Sequence, residues 1–297
     1  MSFGLDQLFS VPMLAALIVI TVVAGLAHGT IGFGFPLIST PLVALLVDIK
    51  TAVLVTVLPN VAVNMISILR GGNWRESIGR YWPLALWVVA GTLVGSRLLL
   101  TVPHEPLQIT LALMIVVFLL QDRLRALDWS WSKRRPQLAA FVFGTTAGVL
   151  SGAVNVAMPP LVIYLMTLEL TPVALTQTLN LCFIAGKSVQ ALALGVSDAM
   201  SQKLLYASLP LVPLAAGAVY AGLKLQSRIG ADTYRSVLRK VLAAIAAALV
   251  LQVAWSLIRQ AHAAGTLASH ASASLSTGNT SALKPSSAAT FTPNLSG

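Results

Sequence analysis

The chain is short of charge, and shortest of acid. Of its 297 residues only 9 are Asp or Glu, and charged residues of both signs make up 9%. A soluble domain of average make-up carries about a quarter charged residues. A chain this poor in charge could not coat a water-facing surface, which excludes an ordinary soluble protein. Cysteine is scarcer still. Cys182 is the single one, so an intrachain disulfide is excluded and the redox compartment is unreadable. No Lys or Arg precedes Lys50, so a cleaved signal peptide with a basic leading region is not expected. The motifs of catalysis are missing too. There is no H-E-x-x-H, no G-x-S-x-G, no nucleotide-cradling glycine loop and no Cys/His cluster at metal-ligand spacing. An acid–base enzyme, a metalloenzyme and an ATP-driven pump each lack their tools, and no catalytic residue, metal or cofactor is expected.

Apolar sequence fills the space that charge leaves. Hydrophobic residues make up 57% and mean hydropathy is +0.84. The length holds roughly eight to ten membrane segments of about 20 residues each. Apolar runs fall near 11–31, 33–47, 51–70, 81–101 and 106–121, and again near 138–153, 156–168, 172–195, 203–225 and 233–258. Backbone groups in lipid must be paired within the segment, so these runs predict helices and an all-α polytopic membrane protein, with the bilayer as its first partner. A polar, basic linker spans 122–137. Beyond about 260 the chain turns to Ser, Ala and Thr and predicts a disordered tail over 261–297. The expected organisation is a first repeat over 1–121, the linker, a second repeat over 138–260, and the tail.

The net charge of +10 raises the question of nucleic acid. Its placement answers it. Arg70, Arg75 and Arg80, then Lys133, Arg134 and Arg135, then Arg235, Arg239 and Lys240 sit between apolar runs. That is how cytoplasmic loops of membrane proteins are charged, and no nucleic-acid partner is expected. Trp74, Trp82, Trp129 and Trp131 fit an interfacial aromatic belt.

The two halves resemble each other. AGLAHGTIGFGFPLI (Ala24 to Ile38) aligns without gaps on AGVLSGAVNVAMPPL (Ala147 to Leu161), so that Gly25 meets Gly148, Gly29 meets Gly152, Gly32 meets Asn155 and Pro36 meets Pro159. GTLVGSRL from Gly91 has its counterpart in GAVYAGLKL from Gly217. Residues 11–47 are too long for one span and carry Gly29, Gly32, Gly34 and Pro36. They predict two crossings or a hairpin that enters and leaves on one side, an even count either way. Three further segments make the total odd, so the second repeat is expected to be inverted. The expected fold is two inverted repeats of about five helical segments, each opened by a broken or hairpin segment. With the linker inside, loops 70–80 and 224–240 also fall inside and are strongly basic. Loops 48–50, 102–105 and 196–203, with Asp48, Lys50, His104, Glu105, Asp198 and Lys203, are nearly balanced. Both termini then lie outside.

Glycine and proline within an apolar stretch free backbone groups that must line a cavity or be buried in protein. Half-helix N-termini at such breaks carry partial positive charge suited to an anion. Around the breaks lie His28, Thr30, Gly32, Gly34, Ser151 and Asn155. Lys187 sits inside an apolar run, where a charge costs about 2.5 kcal/mol or more. Asn180 and Gln190 share its helix face, and Asn60 and Asn64 are the nearest counterpart in the first half. Lys187 reads either as a fixed charge for an anion or as an amine paired with backbone carbonyl groups. His28 reads as a proton carrier or as a satisfied buried histidine, Arg97 as an interfacial anchor, Glu169 as a loop residue, and Pro59 as a kink. The Gly-x-x-x-Gly pairs at 25, 91 and 148 also read as helix-packing seams.

These glycine–proline breaks, the GTLVGSRL segment and the basic linker resemble the sulfite exporter TauE/SafE family over about residues 10–258. Asn155, Val156 and Ala157 stand where a more glycine-rich stretch is usual. The resemblance implies a secondary transporter in the bacterial inner membrane for sulfite, an organosulfonate or a related small anion, coupled to protons or sodium. A membrane accessory protein that moves nothing is the alternative, and assembly into a homo-oligomer is left open.

Overall fold

A computed structural model describes residues 5–72, 74–125, 127–197, 199–226, 240, 243–252 and 254–255. The side chains of Trp74 and Arg75, and Asp198, Arg235, Arg239 and the tail at 261–297, lie outside the described residues. The chain divides into Met1–Gln252 and Val253–Gly297; the account that follows concerns the first unit.

A chain with no water to satisfy its backbone folds as helix, and every regular element among the described residues is one. After a turn of 3-10 helix at Leu5–Phe9 come α1 (Val11–Ile31), α2 (Phe35–Leu46), α3 (Ile49–Arg70), α4 (Trp74–Thr101) and α5 (His104–Leu119). The linker forms α6 (Gln121–Arg125) and α7 (Ser130–Arg134). The second half forms α8 (Pro136–Val154), α9 (Met158–Thr167), α10 (Pro172–Val196), α11 (Gln202–Ser208) and α12 (Leu211–Gln226), followed by a short apolar helix, α13, at Ala243–Gln252. Six stretches are long and apolar enough to cross a membrane: α1, α3, Gly79–Thr101 of α4, α8, α10 and Gln202–Gln226. The expected segment at 203–225 is interrupted between α11 and α12 at Leu209 and Pro210, where proline supplies no N–H to continue the ladder. The segment expected at 233–258 is described only over its middle.

Both expected breaks are present. α1 ends on Gly32 (φ 91), whose N–H bonds the His28 carbonyl at 2.7 Å. α8 ends on Asn155 (φ 66), whose N–H bonds the Ser151 carbonyl at 3.1 Å. The same left-handed cap therefore closes both helices at the positions that the sequence alignment matched. α2 restarts after Gly34 (φ 111) and α9 after Ala157. α2 has 12 residues and α9 has 10, which rise about 18 and 15 Å against a hydrocarbon core of about 30 Å. Neither crosses alone.

Small residues set which helices touch. A Cβ placed on Gly148 would lie 2.9 Å from Gly91 Cα, and one on Gly152 would lie 2.8 Å from the Gly95 carbonyl carbon. A Cβ on Gly29 would lie 3.0 Å from Gly222 Cα, and one on Gly25 would lie 2.6 Å from Ala218 Cβ. α1 thus packs on α12, and α8 on α4, each opening helix against a late helix of the other half, at a separation that only small residues permit. Ala218, not Gly217, occupies the seam; Gly217 meets nothing within 4 Å.

The contacts also fix directions. In both seams residue numbers rise together, so α1 runs parallel to α12 and α4 to α8. α3 runs the same way as α12: Ser208 donates to the Val55 carbonyl at 2.8 Å and the Arg70 guanidinium lies 4.4 Å from the centre of the Tyr220 ring. α4 turns back, since Lys50 Nζ at the start of α3 reaches the Leu100 carbonyl at 3.1 Å. α8 therefore runs opposite to α1. The Ser208 bond also explains an uninterrupted α3. Pro59 has no N–H to offer Val55, and the hydroxyl takes its place within one continuous helix.

The helix ends are tied in corresponding pairs. Asp48, where α2 meets α3, lies 3.3 Å from His104, where α4 meets α5. Glu169, where α9 meets α10, lies 2.6 Å from Lys133 in the linker. Glu169 sits at positive φ (53), as a loop residue, and its bond to Lys133 holds its carboxyl below the usual carboxylate range. That tie is complete above the ordinary range and weakens as pH falls through the lowered one. The linker is more than a tether. Trp129 and Trp131 both pack on Phe143 of α8, at 5.6 and 5.8 Å between ring centres. These two tryptophans anchor the linker to the helices. Trp82 is exposed and keeps that reading.

Candidate functional site

The site begins with the carbonyl groups at the C-terminal ends of the broken helices. Where α8 stops, the Ser151 and Gly152 carbonyls are met by α10 side chains. Lys187 Nζ donates to Ser151 O at 2.8 Å and Gln190 Nε2 to Gly152 O at 2.9 Å. Where α1 stops, α10 serves again, with Asn180 Nδ2 donating to Gly32 O at 2.9 Å. One face of one helix therefore closes both breaks. Asn180 and Lys187 are two turns apart on it and do not bond each other; the expected cluster of the two is divided between the breaks.

Lys187 is 1% exposed, which makes its surroundings decisive. Besides Ser151 O it donates to Gln190 Oε1 at 2.7 Å and to Asn155 Oδ1. Three donors meet three neutral oxygens, so the shell fits an ammonium. No carboxylate neighbours it among the described residues: Asp48 pairs with His104 and Glu169 with Lys133. Asn155 continues outward, its Nδ2 donating to Thr40 Oγ1 at 2.6 Å and Thr56 Oγ1 at 3.1 Å. Five elements converge here: α2, α3, α8, the second break and α10.

Beside this network lies a small cleft with room for about one water molecule, lined by Gly34, Pro36 and Leu37 of the first break, Asn155, Val156, Ala157 and Met158 of the second, and Phe183 and Lys187 of α10. Its polar side chains are Asn155 and Lys187. A second, apolar cavity shares Gly34, Leu37 and Met158 and runs toward Ile31, Phe33 and Phe118.

The other expected residues are spread around this centre. His28 is fully buried, with Phe35 N–H donating to its Nδ1 at 3.2 Å and its Nε2 2.8 Å from Ser67 Oγ. Ser151 contributes its carbonyl, and its hydroxyl is without a partner. Asn64 Nδ2 donates to the carbonyl and to Oδ1 of Asn60, both at 2.7 Å, and Asn60 Nδ2 and Asn64 Oδ1 are left unpaired. Thr30 turns back onto the Ala27 carbonyl at 2.9 Å. Arg97 is exposed, as an anchor is. The half-helix N-termini offer fewer amides than expected. Phe35 N–H is taken by His28, Leu37 N–H by the Gly34 carbonyl, and Pro36, Pro159 and Pro160 have none. The main donor at the site is thus the Lys187 amine and not the helix-end amides.

Sequence reading missed Thr40, Thr56, Ser67 and Phe183. Thr56 also back-bonds the Ala52 carbonyl at 2.7 Å, the usual behaviour of threonine within an apolar helix, so nothing local marked it.

A family model described as sulfite exporter TauE/SafE matches residues 17–253, which takes in every helix from α1 through α12 except residues 11–16 of α1. Neither the curated proteins nor the solved structures gave a match.

Proposed function

The chain belongs to the TauE/SafE sulfite exporter family, whose members are membrane transporters and not enzymes, and from that premise we propose that it is a secondary transporter exporting a small anion such as sulfite or an organosulfonate across the bacterial inner membrane. The bound anion rests between the two breaks, against Lys187, in a space that widens from the small cleft there. His28, Thr30, Gly32, Gly34, Asn60, Asn64, Ser151, Asn155, Asn180 and Gln190 shape that site around it. One observation carries this reading: Lys187, whose amine has no carboxylate neighbour among the described residues, lines a cleft bounded by both helix breaks. A charge at this depth is costly, and a mobile anion compensates it.

The repeats are proposed to be inverted. Supporting this are the opposed directions of α1 and α8, the matched caps at Gly32 and Asn155, and the exchange of α1 and α8 between α12 and α4. In such an arrangement, rocking of one hairpin pair against the other opens the central cavity to either side in turn. Protons or sodium supply the drive.

The decisive experiment compares wild type and Lys187→Met in phosphatidylethanolamine/phosphatidylglycerol vesicles loaded with labelled sulfite. Efflux falls at least a hundredfold in the variant while elution and melting in detergent stay close to wild type. Equal rates remove Lys187 from the site. Wild-type protein that moves no anion of a panel, with or without a pH gradient, supports the accessory reading instead. That reading has its own observation, since Lys187 also caps the negative end of α8.

A further inference from the structure

Asn155 holds the ammonium with one end of its side chain and two helices with the other. Its Oδ1 accepts from Lys187, while its Nδ2 donates to Thr40 of α2 and Thr56 of α3. Its backbone is the left-handed cap of α8. The amide is planar, so the two ends move together.

All three protons of the ammonium are engaged. An anion gains one only by displacing an oxygen already there. The three are not equally placed. The Ser151 carbonyl is fixed in α8, and Gln190 is anchored by its own bond to the Gly152 carbonyl; neither residue lines the cavity. Asn155 does, with Lys187. The cleft touches only carbon of these two side chains, so an entering oxyanion reaches the ammonium by way of Asn155, where a charged oxygen displaces a neutral amide oxygen. Turning Oδ1 away also withdraws Nδ2 from the two threonines, which retain each other at 3.3 Å and the Ala52 carbonyl.

Resting on the transporter reading above, we infer that Asn155 is an internal competitor for Lys187 and the latch between the two breaks: the transported anion takes the place of its amide oxygen and so releases the second break from α2 and α3. Asn155 is a positioning residue in this scheme and does not touch the anion. The first break carries Gly32 at the matching position, so the latch exists on one side only.

Two substitutions separate the roles. Asn155→Gly keeps a backbone suited to φ 66 and removes the competitor. Asn155→Asp puts a carboxylate against the ammonium. With sulfite titrated onto purified protein, Asn155→Gly binds about tenfold tighter than wild type, the factor carried by one hydrogen bond to a charged group. Its turnover in phosphatidylethanolamine/phosphatidylglycerol vesicles falls about tenfold, because binding no longer works a latch. Asn155→Asp loses sulfite binding. Weaker binding by Asn155→Gly, to the level of Lys187→Met, makes Asn155 a direct ligand and overturns the inference. Unchanged affinity and turnover in Asn155→Gly, or wild-type binding by a folded Asn155→Asp, overturn it as well. If Asn155→Asp does not fold, the split between affinity and turnover in Asn155→Gly decides alone. Wild-type protein that binds no sulfite and moves no anion defeats the transporter reading itself and this inference with it.

Discussion

His28 reaches across the first break to the helix that follows it. The Phe35 N–H can only donate, so Nδ1 of the ring is the acceptor and the ring proton sits on Nε2, facing Ser67. Gly34 at the head of α2 has no side chain to cap with, and the imidazole performs that task. A proton added to Nδ1 would confront an N–H, so the closed break excludes a charged ring. His28→Asn places an acceptor near Nδ1, and the pH dependence of sulfite transport should stay within about twofold of wild type. His28→Ala leaves a buried N–H unpaired, which costs about 1–3 kcal/mol and appears as a lower melting temperature in detergent. A pH profile flattened by His28→Asn would return the histidine to proton transfer. At this scale the sequence was legible where chemistry is scarce. A lysine in an apolar run announces itself because burying it is expensive. Thr40, Thr56 and Ser67 do not, since hydroxyls in lipid-facing and cavity-facing helices look alike until their partners are known.

Glycine at an element's edge and glycine in an element's face fail for different reasons. Gly34 sits at φ 111 with nothing within 4 Å of a would-be Cβ, so alanine there fits in space but strains the backbone, by about 1–3 kcal/mol. Gly148 is helical, and a Cβ on it would overlap the Val88 carbonyl oxygen and approach Gly91 Cα at 2.9 Å. Backbone cannot yield as a side chain does. Gly148→Leu should therefore part α8 from α4 and cost more than about 3 kcal/mol, enough to leave little folded protein. Gly34→Ala should remain folded and melt a few degrees lower, followed through tryptophan fluorescence. Similar losses for the two would mean that the seam is slack. Helix lengths, both breaks and the Gly-x-x-x-Gly seams were readable because each follows from composition and period alone. Which helix each seam meets was not. Gly91 and Gly148 are far apart in the chain, and nothing local pairs them. The interruption at Leu209 and Pro210 was hidden by an unbroken apolar run.

Across the whole molecule, topology joins the site to its membrane. α1, α3 and α12 run one way and α4, α8 and α10 the other. The direction of α10 follows from Gly71 lying against Gln177 while Asn155 links Lys187 to Thr56. The basic linker and Glu169 share one end, and Asp48, His104 and the start of α11 share the other, which is the division that loop charge had predicted. That agreement has a physical source. Positive charge resists passage across the membrane, so the strongly basic loops gather at one end of the bundle. Cys182 is the only cysteine in the chain and is buried, so a Cys182→Ala background accepts single reporters cleanly. Arg123 in the linker and Gln202 at the start of α11 are both exposed. In cells treated with a membrane-impermeant maleimide, Gln202→Cys should label at least tenfold faster than Arg123→Cys, and disrupting the membrane should bring the two rates together. Equal labelling of intact cells would place both ends on one side. The cavity between the breaks would then have no two compartments to alternate between, and Lys187 would be left as a helix cap.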